Sequence, residues 1–193
     1  MRIDALPLRP IRGYSFSNFS TNKQVASARS TIMRYVSEAR PYGCHTLVLG
    51  GPESSGKTHL LNAAGHAALV NGVFRTANTL SGEKFQNVAE DGLFYGDWGC
   101  WRQRFIATEW LAIDDVDIII RDSICEKLLS EILQERACGK GRTLLSMRFP
   151  VQPRVNCMLY NYMKELPAIS LSKNPVLALS THHSSMIAIP LGV

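Results

Sequence analysis

Gly51-Pro52-Glu53-Ser54-Ser55-Gly56-Lys57-Thr58 is the stretch whose reading decides the fold. It sits between the apolar run Thr46-Leu47-Val48-Leu49 and His59-Leu60-Leu61-Asn62-Ala63-Ala64, which reads as a helix. A G-x-x-x-x-G-K-[ST] run with a strand before it and a helix after it is a phosphate loop in the context the motif requires. Its glycines let the backbone curl so that several N–H groups point at phosphate oxygens, and the helix N-terminus adds a positive dipole end. Lys57 would reach the β- and γ-phosphates, and the Thr58 hydroxyl would ligate magnesium. A Gly/Ser turn matching by accident would lack the flanking strand and helix. The stretch therefore implies a protein that binds a nucleoside triphosphate, or descends from one that did.

A second feature lies downstream. Trp110-Leu111-Ala112-Ile113-Asp114-Asp115 describes a buried parallel strand whose tip presents paired carboxylates, at the sheet edge where open α/β folds place their ligands. Asp114 would hold the magnesium, directly or through water, and Asp115 would orient or deprotonate the attacking water. An apolar run ending in two acids is a weak signal alone, because Asp also caps loops after strands. It gains force from following a phosphate loop at this distance.

The 193 residues suggest one domain with a substantial core. A hydrophobic fraction of 46% and a charged fraction of 19% are those of a globular protein. No apolar run approaches a membrane span and no secretory signal is recognisable, so a cytoplasmic location is expected. Cys44, Cys100, Cys125, Cys138 and Cys157 are odd in number and lack C-x-x-C spacing, which predicts reduced, mostly buried thiols. The formal charge of +5 is uneven. Arg2, Arg9, Arg12, Lys23, Arg29, Arg34 and Arg40 face only Asp4 and Glu38 in residues 1–40, which suits DNA, an acidic protein, or simply a solvated basic face.

Taken in order, residues 1–13 read as an extended leader, 14–172 as the core domain, and 173–193 as an irregular tail. Tyr14-Ser15-Phe16-Ser17-Asn18-Phe19 alternates aromatic and small polar residues, fitting either core packing or a flap against a nucleotide base. Periodicity predicts a helix over 22–40, with Val25, Ala28, Ile32 and Val36 on one face. Strands are predicted at 46–50, 73–77, 110–114, 143–146 and 168–171. Between them come the helix after the phosphate loop, stopped by Asn71-Gly72, and helices at 80–92, 101–105 and 155–165. A further helix opens with the capping box Ser123-x-x-Glu126, its Ile124, Leu128, Leu129, Ile132 and Leu133 facing inward. Residues 92–99 read as a loop. The alternation predicts an α/β fold, a five-stranded parallel sheet with helices on both faces as in P-loop NTPase cores.

The chain resembles the AAA+ ATPase module of the bacterial replication initiator DnaA family, and within it the short Hda-type homologues. Tyr14-Ser15-Phe16-Ser17-Asn18-Phe19 is similar to the family's Y-T-F-D-N-F, which lies near the adenine. Gly50 to Ala63 resembles G-G-x-G-x-G-K-T-H-L-L-H-A, Trp110 to Val116 resembles V-L-L-I-D-D-I, and Ser146-Met147-Arg148-Phe149-Pro150 sits where the family has S-D-R-P-P. The resemblance implies a nucleotide-binding AAA+ protein of replication initiation using ATP or ADP and Mg2+. Gly51, Pro52, Glu53, Ser54, Ser55, Gly56, Lys57, Thr58 and His59 would form the loop, and Tyr14 and Phe19 would lie near the base. Partners implied are DnaA or other AAA+ protomers and DNA. Leu6-Pro7-Leu8 is similar to the Hda-type leader that docks on the sliding clamp, although the motif's flanking Gln and Leu are missing.

Departures from the pattern point the other way. Ser54 or Ser55 replaces a family glycine, Met147 stands at the acidic sensor position, and no L-x-S-R-F/L box follows Pro150. No lid domain and no helix-turn-helix is expected in these residues. With an arginine finger missing, turnover would fall by about three to five orders of magnitude, so weak ATPase activity is the expectation. Two alternatives stay open: a DnaC-type helicase-loader ATPase and a non-hydrolysing nucleotide-binding interaction module.

Overall fold

The computed structural model describes residues 13–19, 23–37, 45–139, 141–148 and 157–171. The predicted leader with its Leu6-Pro7-Leu8 motif, Cys44, Phe149-Pro150 and the tail lie outside these residues. The order is α1 (Lys23–Ser37), β1 (Thr46–Gly51), α2 (Lys57–Val70), β2 (Ala77–Ser81), α3 (Gly82–Tyr95), α4 (Trp98–Ala107), β3 (Trp110–Asp114), α5 (Val116–Ile119), α6 (Ser123–Ala137), β4 (Arg142–Arg148), α7 (Met158–Lys164) and β5 (Ala168–Ser170).

All five strands pair in parallel, in the order β2-β3-β4-β1-β5. Parallel strands need crossovers, and the helices that supply them bury both sheet faces. Period-two alternation divides each strand between two cores. Leu47 and Leu49 of β1, Trp110 and Ala112 of β3 and Leu144 of β4 pack under α1 and α2. Val48, Leu111, Ile113, Leu145 and Met147 pack under α3 to α7. The predicted helical stripe of α1 is real, with Ala28, Ile32 and Val36 buried. Among the described residues no helix is long and apolar enough to cross a membrane.

Several predicted elements are displaced. The second strand is not at 73–77 but at Ala77–Ser81. Its residues Asn78 and Thr79 are polar yet buried, and Asn78 donates to the Thr108 hydroxyl at 2.6 Å. An edge strand of this composition has no apolar run to announce it. The helix expected at 80–92 runs from Gly82 to Tyr95, its start fixed by the Ser81 hydroxyl accepting from the Lys84 N–H. The loop expected over 92–99 shrinks to Gly96 and Asp97, since α4 already begins at Trp98. The cap of α6 is Asp122, whose carboxylate accepts from the Ile124 and Cys125 N–H groups, and not Ser123. Glu126 instead turns inward and accepts the Leu159 N–H at 3.0 Å, tying α6 to α7. Ile124, expected inward, is exposed. Of the four described thiols, all free, Cys125 and Cys157 are buried and Cys100 and Cys138 exposed.

Candidate nucleotide site

β1 ends at Gly51, and α2 begins at Lys57. Between them the backbone reverses through two left-handed residues, Ser54 at φ 57° and Gly56 at φ 91°. Ser54 is thus the serine standing where an unstrained loop would carry glycine, which resolves the Ser54 or Ser55 ambiguity. Left-handed backbone costs a residue with a Cβ roughly 1–2 kcal/mol. Gly56 has a second constraint: a Cβ there would meet the Phe19 ring at 2.8 Å.

The N-terminus of α2 has no side-chain cap and no acid in its first turn. Its N–H groups and dipole are left for an external anion. Lys57 is only 5% exposed and donates to the carbonyl oxygens of Gly51 (3.1 Å) and Pro52 (2.8 Å). The ammonium is therefore folded back over the loop it would share with phosphate. The Ser55 hydroxyl is buried there with no hydrogen-bond partner among the described residues. Thr58 is exposed at the loop mouth.

Opposite the loop, β3 delivers Asp114 and Asp115 to the same sheet edge. The Ser146 hydroxyl on neighbouring β4 donates to Asp114 Oδ1 and accepts the Asp115 N–H at 3.1 Å. It holds the two acids in register. Asp115 is left-handed at φ 51° and opens α5. Gly82 is what lets α3 pass beside it, since a Cβ at that position would lie 2.6 Å from the Asp115 carbonyl oxygen. Burial pushes the Asp115 carboxyl above its ordinary value, and Asp114 and Asp117 add to the shift. Arg148 and Lys57 oppose it.

Met147 lies on the other face of β4, wholly buried in the core shared by α3 to α7. Its neighbours face the loop. Arg148 is in register with Gly51, the last residue of β1. Its Nε donates to Asp117 Oδ2 at 2.9 Å and its backbone N–H to Asp117 Oδ1 at 3.2 Å. Its Nη1 reaches Glu53 of the phosphate loop at 2.5 Å. These two carboxylates raise the Arg148 pKa further above its ordinary value.

The aromatic segment docks beside the helix start. Tyr14 and Phe19 contact the His59 ring with centroids 4.9 and 4.8 Å apart. His59 Nε2 lies 2.9 Å from the Ser15 carbonyl oxygen and 3.1 Å from Asn18 Oδ1. Phe16 and Phe19 also pack on the core beneath α1 and α2. Core packing thus accounts for Phe16 and part of Phe19, while Tyr14, Phe19 and His59 form a cluster at the loop.

Gly51 to His59, Asp114 and Asp115 therefore meet at one edge of the sheet, with Tyr14 and Phe19 next to them. Sequence reading missed Ser146 as the link between the acids, and Asp117 as the anchor of Arg148. A serine directly after the apolar pair Leu144-Leu145, near the strand's C-terminal tip, was the signal for Ser146. Asp117 gave none. Asp114 and Thr58 are oxygen donors of the kind magnesium takes. It characteristically uses one or two carboxylates plus substrate phosphates, so these residues fit the ion.

The family model for the bacterial DnaA ATPase domain matches residues 11–151. The chain belongs to this family. Solved structures similar to this DnaA-family chain include a replication initiator DnaA bound to AMPPCP and single-stranded DNA, with a TM-score of 0.75 and 15% identity over 86% of this chain and 51% of that one. Domain III of the Thermotoga maritima DnaA has a TM-score of 0.71 and 24% identity over 86% of this chain and 69% of that one. A DnaC helicase loader has a TM-score of 0.68 and 16% identity over 82% of this chain and 97% of that one. At these identities the likeness is one of fold. The chain spans about half the length of the first of these structures. No curated protein gives a significant sequence match.

Proposed function

We propose that this DnaA-family AAA+ domain, spanning residues 14–172, binds ATP or ADP with Mg2+ and acts as a nucleotide-responsive regulator of replication initiation. The convergence of Lys57, an uncapped helix start and the Ser146-clamped Asp114–Asp115 pair at one sheet edge carries the reading. The N–H groups of the loop and α2 would receive the phosphates. Lys57 would leave the Gly51 and Pro52 carbonyls for phosphate oxygens. Thr58 and Asp114 would hold the ion, which when bound offsets charge on the phosphates. Tyr14, Phe19 and His59 would cover the base side of the loop.

Asp115 would accept a proton from water, a role its raised pKa supports because that makes it a better base than an ordinary carboxylate. Met147 offers nothing to the γ-phosphate. Slow hydrolysis follows, and binding state, more than turnover, would report to partners. Those partners would be DnaA or other AAA+ protomers, with DNA and the sliding clamp, through Leu6-Pro7-Leu8, as further contacts in the cytoplasm. One observation favours a second reading, a helicase loader of the DnaC type: the fold match spans nearly all of a DnaC loader chain.

Turnover of the purified protein, alone and with DnaA and DNA-loaded clamp, tests the proposal. The expected result is bound nucleotide with slow hydrolysis that responds to DnaA. Asp115→Asn should keep the nucleotide and lose the residual turnover. Stimulation by single-stranded DNA and a replicative helicase alone would favour the loader, and a protein that takes up neither ATP nor ADP would overturn both readings.

A further inference from the structure

The three hydrogen bonds of Arg148 are unequal. Its Nε and backbone N–H are fixed on Asp117, a carboxylate only 3% exposed. Its Nη1 goes to Glu53, whose side chain is mostly in solvent. One side of the guanidinium is therefore anchored and the other is held by a pair of the kind worth at most about 1 kcal/mol in water. Glu53 belongs to the phosphate loop itself, and Arg148 sits beside Gly51, where the loop begins. Arg148 and Lys57 both lower the Asp115 pKa against the effect of burial and the neighbouring acids. Of the neighbouring β4 residues, Met147 is buried on the far face and Ser146 is committed to Asp114.

We infer that Glu53 and Arg148 form an exchangeable latch that makes the site sensitive to the terminal phosphate of its nucleotide. This rests on the nucleotide reading above. With Glu53 on Arg148, the loop carries an internal anion that stands in for a phosphate. A γ-phosphate brings more charge and more acceptor oxygens than one exposed carboxylate, and a planar guanidinium fork suits it. Arg148 pivots on Asp117, transfers Nη1 from Glu53 to the phosphate, and releases Glu53 to solvent. A diphosphate reaches less far and leaves the latch closed. The position of Glu53, and of the loop it sits in, then differs between triphosphate and diphosphate states without any hydrolysis.

Calorimetric titration of the full chain with Mg·ATP and with Mg·ADP reads the latch. Glu53→Gln removes the competing anion at an exposed site, so folding is not at risk. It should tighten ATP about threefold to fivefold and leave ADP nearly unchanged. Arg148→Gln, paired with Asp117→Asn to avoid an orphaned buried carboxylate, should weaken ATP about tenfold with little effect on ADP. Equal changes for the two nucleotides, or no change in Glu53→Gln, would overturn the latch while leaving nucleotide binding in place. A wild-type protein that binds neither nucleotide would overturn the underlying reading as well.

Discussion

The two edges of the sheet both bury charge, and they handle it in opposite ways. At the edge away from the phosphate loop, Arg136 is almost fully enclosed. It donates to the carbonyl oxygens of Phe105, Ile106, Thr108 and Arg142 and to the Thr143 hydroxyl. Burial lowers its pKa to about 10, so it stays charged at neutral pH. Nearby, Arg142 donates to the carbonyls of Tyr35 and Val36 and lies over the Phe74 ring at 5.2 Å. Every interaction there ends on the chain itself. At the loop edge, three acids crowd together, two residues other than glycine sit in left-handed backbone, and a helix starts uncapped. At the first edge the guanidinium groups bond to the chain, and Arg136 ties α6 to α4 and β4. The second leaves positive groups in provisional contacts that a ligand can replace. Left-handed backbone, an uncapped helix start and the unpartnered Ser55 hydroxyl lie together at the loop, as expected of a binding site before its ligand arrives.

The sharpest way to break this contrast is to disarm the stable edge. Arg136→Met should leave four carbonyls and a hydroxyl without their donor and cost about 3 kcal/mol or more. Urea melts followed by circular dichroism would measure it. A loss under about 1 kcal/mol would mean that Arg136 does not hold those carbonyls in the way described.

Relief of strain at the loop edge should act in the other direction. Ser54→Gly accepts the same left-handed backbone without a Cβ, and a gain of about 1 kcal/mol is expected. A destabilised Ser54→Gly protein in the same melts would show that the loop is not strained at that position.

The smallest effect concerns Asp115. Its native pKa lies above the ordinary value of 3.8, so the folded chain holds this proton more tightly than the unfolded one. Stability is then lost as pH rises from the unfolded value through the native one. Asp115→Asn has no such loss. The variant should match wild type at strongly acid pH and become the more stable of the two as pH climbs toward neutrality. Parallel melts across that range that never diverge would contradict the crowding of charge around Asp115.

The same contrast explains what could be read from sequence. The phosphate loop and the Trp110–Asp115 run are contiguous, so their chemistry is spelled out in neighbouring residues, and the parallel sheet followed from alternating elements. β2 escaped because an edge strand holding Asn78 and Thr79 carries no apolar pattern, and Asn78's partner, Thr108, is some thirty residues away in the chain. The α6 cap shifted by one residue because Asp122 and Ser123 are both good caps, and only Glu126's commitment to Leu159 decides between them. Ser146, Asp117 and Arg148 matter through contacts spanning some thirty residues or more of chain. Those depend on strand order, and strand order is not written in any local stretch. Met147 was legible as a departure from the family pattern, but its place on the far face of β4 is a property of the sheet.

Calorimetric titration of Mg·ATP into wild type and Lys57→Ala, with melting curves to show that both are folded, tests the central claim most directly. If the loop edge is the nucleotide site, wild type binds and folded Lys57→Ala does not. Equal affinity in the two proteins would contradict it.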